Sequence, residues 1–214
     1  MPYDGCEYKF YIGLPQREFK ELIMTSTHEL TQEEIRNFVL PAHGDLATVK
    51  RMLAENPALL NAKYEEWNET ALGAASHVGN RQVAEYLLSQ GATLTICTAA
   101  MLGMTESVAE FLRADPGQAR ATGAHGIPVL THAAISGKTE IADLLVANGG
   151  GEGADAGLVN AAQFGHLQMA EWLLARGADP NARNYEDKTA LRLALDAGHN
   201  EVADLLRRHG GREE

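Results

Sequence analysis

The sequence predicts an all-α solenoid, a stack of helix-turn-helix units, and three observations carry that reading. A block of small residues, a glycine and an apolar segment ending in Leu-Leu recurs along the 214 residues. The same residue types return at fixed distances from that glycine. Only 6% of the chain is aromatic against 45% hydrophobic, so alanine and leucine must fill the core. The clearest copies read Ala71-Leu72-Gly73-Ala74-Ala75-Ser76-His77-Val78-Gly79 and Leu158-Val159-Asn160-Ala161-Ala162-Gln163-Phe164-Gly165-His166, each followed by a helical segment ending in Leu-Leu. Such self-similarity marks a repeat architecture in which a unit cannot bury its apolar face alone and depends on stacked neighbours.

Registering the copies on Gly44, Gly79, Gly103, Gly137, Gly165 and Gly198 gives intervals of 35, 24, 34, 28 and 33 residues. Four residues before the glycine stand Leu40, Ala75, Ala99, Ala133, Ala161 and Ala194, mostly small, so that neighbouring helices can approach closely. Five and eight residues after it, apolar residues recur from Val49 and Met52 to Ala203 and Leu206, on one face of a second helix. The units expected are about 32–62, 63–94, 95–122, 123–153, 154–182 and 183–211, with a tail at 212–214.

Taken in order, residues 1–31 precede the repeat as an extension or cap. A short strand is expected at 8–12 and a short helix at 16–24, with packing over the first unit as a lid or, alternatively, a peptide-like extension that meets another chain. Thr31-Gln32-Glu33-Glu34 has capping-box spacing, so the first repeat helix should begin near Gln32, and Pro41 should end or kink it. At the far end Arg207 stands where the second unit has an apolar residue, as a solenoid's polar cap requires.

Thr70-Ala71-Leu72-Gly73-Ala74, Pro128-Val129-Leu130-Thr131-His132-Ala133 and Thr189-Ala190-Leu191-Arg192-Leu193-Ala194 resemble the inner-helix signature of the ankyrin repeat. The loop endings Gly91-Ala92-Thr93 and Gly177-Ala178-Asp179 are similar to that family's Gly-Ala-Asp. No copy keeps both the proline and the histidine of the signature in place. The resemblance, covering about 32–211, implies an ankyrin repeat stack with short β-hairpin fingers between units. The intervals of 24 and 28 residues leave too little chain for two of these. Fingers are therefore expected only near 64–68, 125–127 and 185–188.

Composition excludes several functions. With 18 Lys+Arg against 29 Asp+Glu the net charge is −11 and basic residues are scattered, which disfavours nucleic-acid binding. No apolar run is long enough to span a membrane, and the opening Met1-Pro2-Tyr3-Asp4-Gly5 has no basic-then-apolar pattern, so a cytoplasmic location without membrane attachment is expected. Cys6 and Cys97 lie far apart and suggest neither a disulfide framework nor a zinc cluster. Nucleophile-elbow, zincin and kinase motifs are absent, and Gly149-Gly150-Gly151-Glu152-Gly153 lacks the Gly-Lys-Ser/Thr ending of a phosphate loop. No enzyme, cofactor or metal is expected.

What remains is a surface. The resemblance implies that the two residues before each register glycine, with the finger tips, face a concave groove. The candidate partner-binding residues are Trp67, His77, Val78, Met101, Leu102, Ile135, Gln163, Phe164, Tyr185 and Glu186. Val78, Met101, Leu102, Ile135 and Phe164 would form an exposed apolar stripe, and such patches mark interaction sites, the alternative being that these residues tuck into the core or under the N-terminal segment. Trp67 and Tyr185 would be exposed aromatic tips. Glu65, Glu66, Glu69 and Glu186 would favour a basic partner. His43 and His77 fall at neighbouring concave positions with no carboxylate at ligand spacing, and read as surface histidines; His166 and His199 read as structural. The function expected is a non-enzymatic module binding a partner protein or peptide, the alternative being a self-associating scaffold, a homodimer through the stripe or the N-terminal segment.

Overall fold

The computed structural model describes residues 29–214, so the strand and helix expected in the N-terminal extension lie outside the described residues. Helix α1 (Gln32–Val39) begins where the capping-box spacing places it, then tightens into a 3₁₀ turn, Leu40–His43, that carries Pro41. The proline lacks an N–H to continue the α-helical ladder. Helix α2 (Leu46–Glu55) completes the first unit, capped by Asp45, whose carboxylate accepts from the Thr48 N–H at 3.0 Å. Strands β1 (Lys63–Tyr64) and β2 (Glu69–Thr70) pair antiparallel, with Tyr64 opposite Glu69.

The second unit is α3 (Ala71–His77) and α4 (Arg81–Ser89), and the third is α5 (Ile96–Leu102) and α6 (Thr105–Ala114). The fourth is α7 (Val129–Ser136) with α8 (Thr139–Ala147), the fifth α9 (Ala154–Phe164) with α10 (Leu167–Leu174), and the last α11 (Ala190–Asp196) with α12 (Asn200–Arg208). Inner helices stack as α3, α5, α7, α9 and α11, while α6, α8, α10 and α12 form the outer row. Their alanines at the register position, Ala75, Ala99, Ala133, Ala161 and Ala194, have no exposed surface. That is the close approach small residues permit. Thr70, Thr95 and Thr189 each cap an inner helix through a side-chain oxygen.

Gly79, Gly103, Gly137, Gly165 and Gly198 hold φ between 71° and 76°, a left-handed turn that links the two helices of each unit. Gly44 differs, with φ −166°, because the Pro41 turn replaces that geometry in the first unit. Strand pairing among the described residues is confined to β1–β2 and the bridges Thr122↔Pro128 and Arg183↔Thr189. The third and fifth units begin without a finger.

Two expected structural histidines act as ties between units. The His166 Nε2–H donates to the Ile135 carbonyl at 2.8 Å, and the ring covers Gly137. The His199 ring likewise covers Gly165.

The apolar stripe expected from the sequence is not formed as a stripe. Met101, Leu102 and Ile135 are buried, at 2%, 8% and 7% exposure, and only Val78, at 37%, is open. Ile135 and Phe164 meet at the turn of the second unit, where a Cβ added to Gly79 would lie 2.7 Å from Phe164 Cζ and 2.8 Å from Ile135 Cγ2. Side chains of the fourth and fifth units reach back to the turn of the second, closing over the fingerless third. Every residue of α5, packed between α3 and α7, is buried.

Candidate functional site: a concave groove and a histidine cluster

A groove of about 850 Å³ runs along the inner helices. Of the expected binding residues, His77, Val78, Ile135, Gln163, Phe164, Tyr185 and Glu186 line it; Met101 and Leu102 do not. Phe164 is half-buried, Gln163 is exposed, and Tyr185 is 95% exposed on the tip before α11. Trp67 is half-buried, not an open tip: its ring meets Tyr64 edge-on at 4.9 Å, and the Arg36 guanidinium lies 5.5 Å from its centroid.

The acidic fingertips are less available than their sequence suggests. Tyr64 donates its hydroxyl hydrogen to Glu66, Lys63 pairs with Glu65 at 3.3 Å, and Lys188 pairs with Glu186 at 3.0 Å. Such exposed pairs add little stability but occupy charge. Glu69 is no fingertip at all, because its pairing with Tyr64 in the hairpin turns it inward, where it is 1% exposed.

Around Glu69 three histidines converge. His77 Nδ1 lies 2.9 Å from Oε1, His43 Nε2 3.8 Å from Oε1, and His125 Nε2 3.6 Å from Oε2. His77 meets His43 and His125 edge-on at centroid distances of 5.0 and 5.3 Å. Despite these short separations, neither oxygen of Glu69 nor Nδ1 of His77 has an aligned hydrogen bond. A buried carboxylate without hydrogen bonds is costly, on the order of a few kcal/mol at least. The sequence reading placed His43 and His77 near each other but missed both the carboxylate and His125. The missing third finger brings His125 in: its backbone N–H reaches the Trp67 carbonyl at 3.4 Å, so the fourth unit's finger stands beside the second's.

A second cavity, of about 390 Å³, has Cys97 and His132 on its wall. Burial pushes the Cys97 thiol up to about 12 and the His132 imidazole down to about 4. The His132 Nδ1–H donates to the Pro128 carbonyl at 3.1 Å, which opposes that fall. Both groups are neutral near pH 7, so they form no thiolate–imidazolium pair of the kind a cysteine nucleophile needs. No helix among the described residues is long and apolar enough to cross a membrane.

Stacked helix pairs, left-handed glycine turns and short fingers define a helical repeat protein with a groove along its inner helices. Residues 94–184 and 152–213 match the family of ankyrin repeats in three copies, and 67–99 match the single ankyrin repeat. The chain belongs to the ankyrin repeat family, whose members generally mediate protein–protein interaction and are generally not enzymes. It is 39% identical over 93 residues to an ankyrin repeat-containing protein of Treponema pallidum, a match covering 41% of this chain and 31% of that protein. Over 184 residues it is 28% identical to an ankyrin repeat and KH domain-containing protein of Caenorhabditis elegans, covering 78% of this chain and 7% of that one. Sixty residues are 42% identical to the rat cyclin-dependent kinase 4 inhibitor B, covering 28% of this chain and 45% of the inhibitor. The chain thus spans less than half the length of each of these relatives.

Proposed function

We propose that this chain is a non-enzymatic binding module that holds a peptide segment of a partner protein in its concave groove. The observation that carries the reading is the groove itself, with Val78, Ile135 and Phe164 on its floor and the Tyr185 ring standing free at its rim. An apolar floor with an aromatic at the edge suits an apolar anchor residue flanked by polar contacts. Family membership and the partner-binding character of relatives such as a kinase inhibitor support the same class of function. The basic partner expected from the finger carboxylates rests now on the net charge of −11 alone, which favours encounter with a basic segment without specifying it.

The test is a peptide-display selection on the full chain, followed by titration of an enriched peptide. Binding should weaken at least about tenfold with Tyr185→Ser, a change at an exposed tip, and stay unchanged with Val146→Ser on the convex helix α8. Equal affinity for wild type and Tyr185→Ser, or selection of no peptide, would count against the groove.

A further inference from the structure

We propose that His43, Glu69 and His77, with His125 as a fourth ligand, bind a zinc ion that ties together the first, second and fourth units. The ligand atoms of His43, Glu69 and His77 all lie within 4.8 Å of one another. Zinc–ligand bonds of 2.0–2.1 Å in a tetrahedron place ligand atoms about 3.3 Å apart. From Glu69 Oε1 the separations are 2.9 Å to His77 Nδ1 and 3.8 Å to His43 Nε2, which bracket that value, and His125 Nε2 stands 3.6 Å from the other oxygen, Oε2, close enough to turn toward the ion.

The hydrogen bonds favour a cation at the centre. The backbone carbonyl of Leu40 can only accept, so His43 must donate its Nδ1–H to it, at 3.0 Å. A neutral His43 then presents the bare Nε2 lone pair to the carboxylate. Lone pair facing lone pair is repulsive unless something positive lies between them. A metal-bound histidine typically has this arrangement, one ring nitrogen anchored to a carbonyl and the other on the metal. Glu69 supplies the independent observation: it is 1% exposed, aimed into the cluster, and without a hydrogen-bond partner on either oxygen.

Imidazoles with one carboxylate suit zinc and its neighbours in the first transition row, whereas calcium and magnesium require oxygen ligands throughout. Cys97, buried and held as a thiol, plays no part. A bound ion would also give the fingerless third unit a function. Without a finger there, His125 can reach the cluster, and the ion would clamp the gap. The competing account is a protonated histidine paired with Glu69, which needs no metal.

The full chain, without a polyhistidine tag and carrying Cys6→Ser to remove the other thiol, is stripped with EDTA, equilibrated with ZnCl2 and gel-filtered. The expected result is one retained zinc per chain, a raised thermal midpoint, and a visible four-coordinate absorption band when Co2+ replaces zinc. His43→Gln, at a side chain 30% exposed, should weaken zinc binding by more than about 100-fold, since loss of an outer-sphere partner alone costs 10–100-fold. Should Glu69→Gln or His77→Gln not fold, the Co2+ spectra of the Cys6→Ser chain and His43→Gln decide the matter. Zinc washed off the unsubstituted site, a six-coordinate Co2+ spectrum, or equal retention by His43→Gln/His125→Gln would overturn the proposal. A midpoint indifferent to zinc would indicate the histidine–carboxylate ion pair instead.

Discussion

Gly79→Ala probes the closure of the groove over the third unit. Gly79 and Gly103 share a register position and nearly the same backbone, with φ of 75° and 73°. Either substitution forces alanine into the left-handed region, costing about 1–2 kcal/mol. Their surroundings differ. At Gly103 the nearest atom to an added Cβ is Lys138 Cγ at 3.3 Å, on a long side chain that can move aside. At Gly79 the methyl would stand 2.7 Å from Phe164 Cζ and 2.8 Å from Ile135 Cγ2, and Ile135 is buried. Overpacking of that kind adds about 1–3 kcal/mol. Gly79→Ala should therefore cost about 2–5 kcal/mol and Gly103→Ala about 1–2 kcal/mol. Urea denaturation followed by far-UV circular dichroism reads the difference as a shift in midpoint. Trimming Phe164 to leucine should recover part of the Gly79→Ala loss and none of the Gly103→Ala loss. Equal midpoints for the two alanine variants would refute the contact between the second and fifth units.

Further outcomes follow from burial and ionisation. Met101→Ala should cost about 2–5 kcal/mol in the same urea assay, the range for emptying a core site, where an exposed groove residue would cost less than about 0.5 kcal/mol. Cys97, its thiol pushed up to about 12, should resist iodoacetamide at pH 8 in the folded chain and react once unfolded, read by peptide mass mapping. His132, pushed down to about 4 by burial and to a lesser degree by His77, binds its proton more readily unfolded, where the ordinary value is 6.5. Its contribution is complete above pH 6.5 and is lost as pH falls toward 4, up to about 3 kcal/mol. His132→Gln should flatten the fall in urea midpoint between pH 7 and pH 4.5 relative to wild type.

The repeat was legible because its signals are local. A left-handed glycine, a threonine cap and apolar residues at helical spacing each act within a few residues, and counting between glycines located the two missing fingers. Which of the expected residues remain open was not legible, because it depends on contacts distant in sequence: α5, with Met101 and Leu102, is packed between α3 and α7, and Ile135 meets Phe164 at a turn 85 residues before Phe164 in the chain. Glu69 was misread for a related reason. Charge near a finger suggests solvent, but residues that pair across a hairpin share a face, and Tyr64, an aromatic opposite Glu69, was a usable sign that this face points inward. His125 could be placed only once the absent third finger was seen to bring the second and fourth units' fingers side by side.

The groove is the centre of the functional account, and amide chemical-shift mapping with a selected peptide tests it most directly. Perturbations concentrated at Val78, Ile135, Gln163, Phe164 and Tyr185 are predicted. Perturbations concentrated on the outer helices α4, α6 and α8, with the groove residues unmoved, would contradict it.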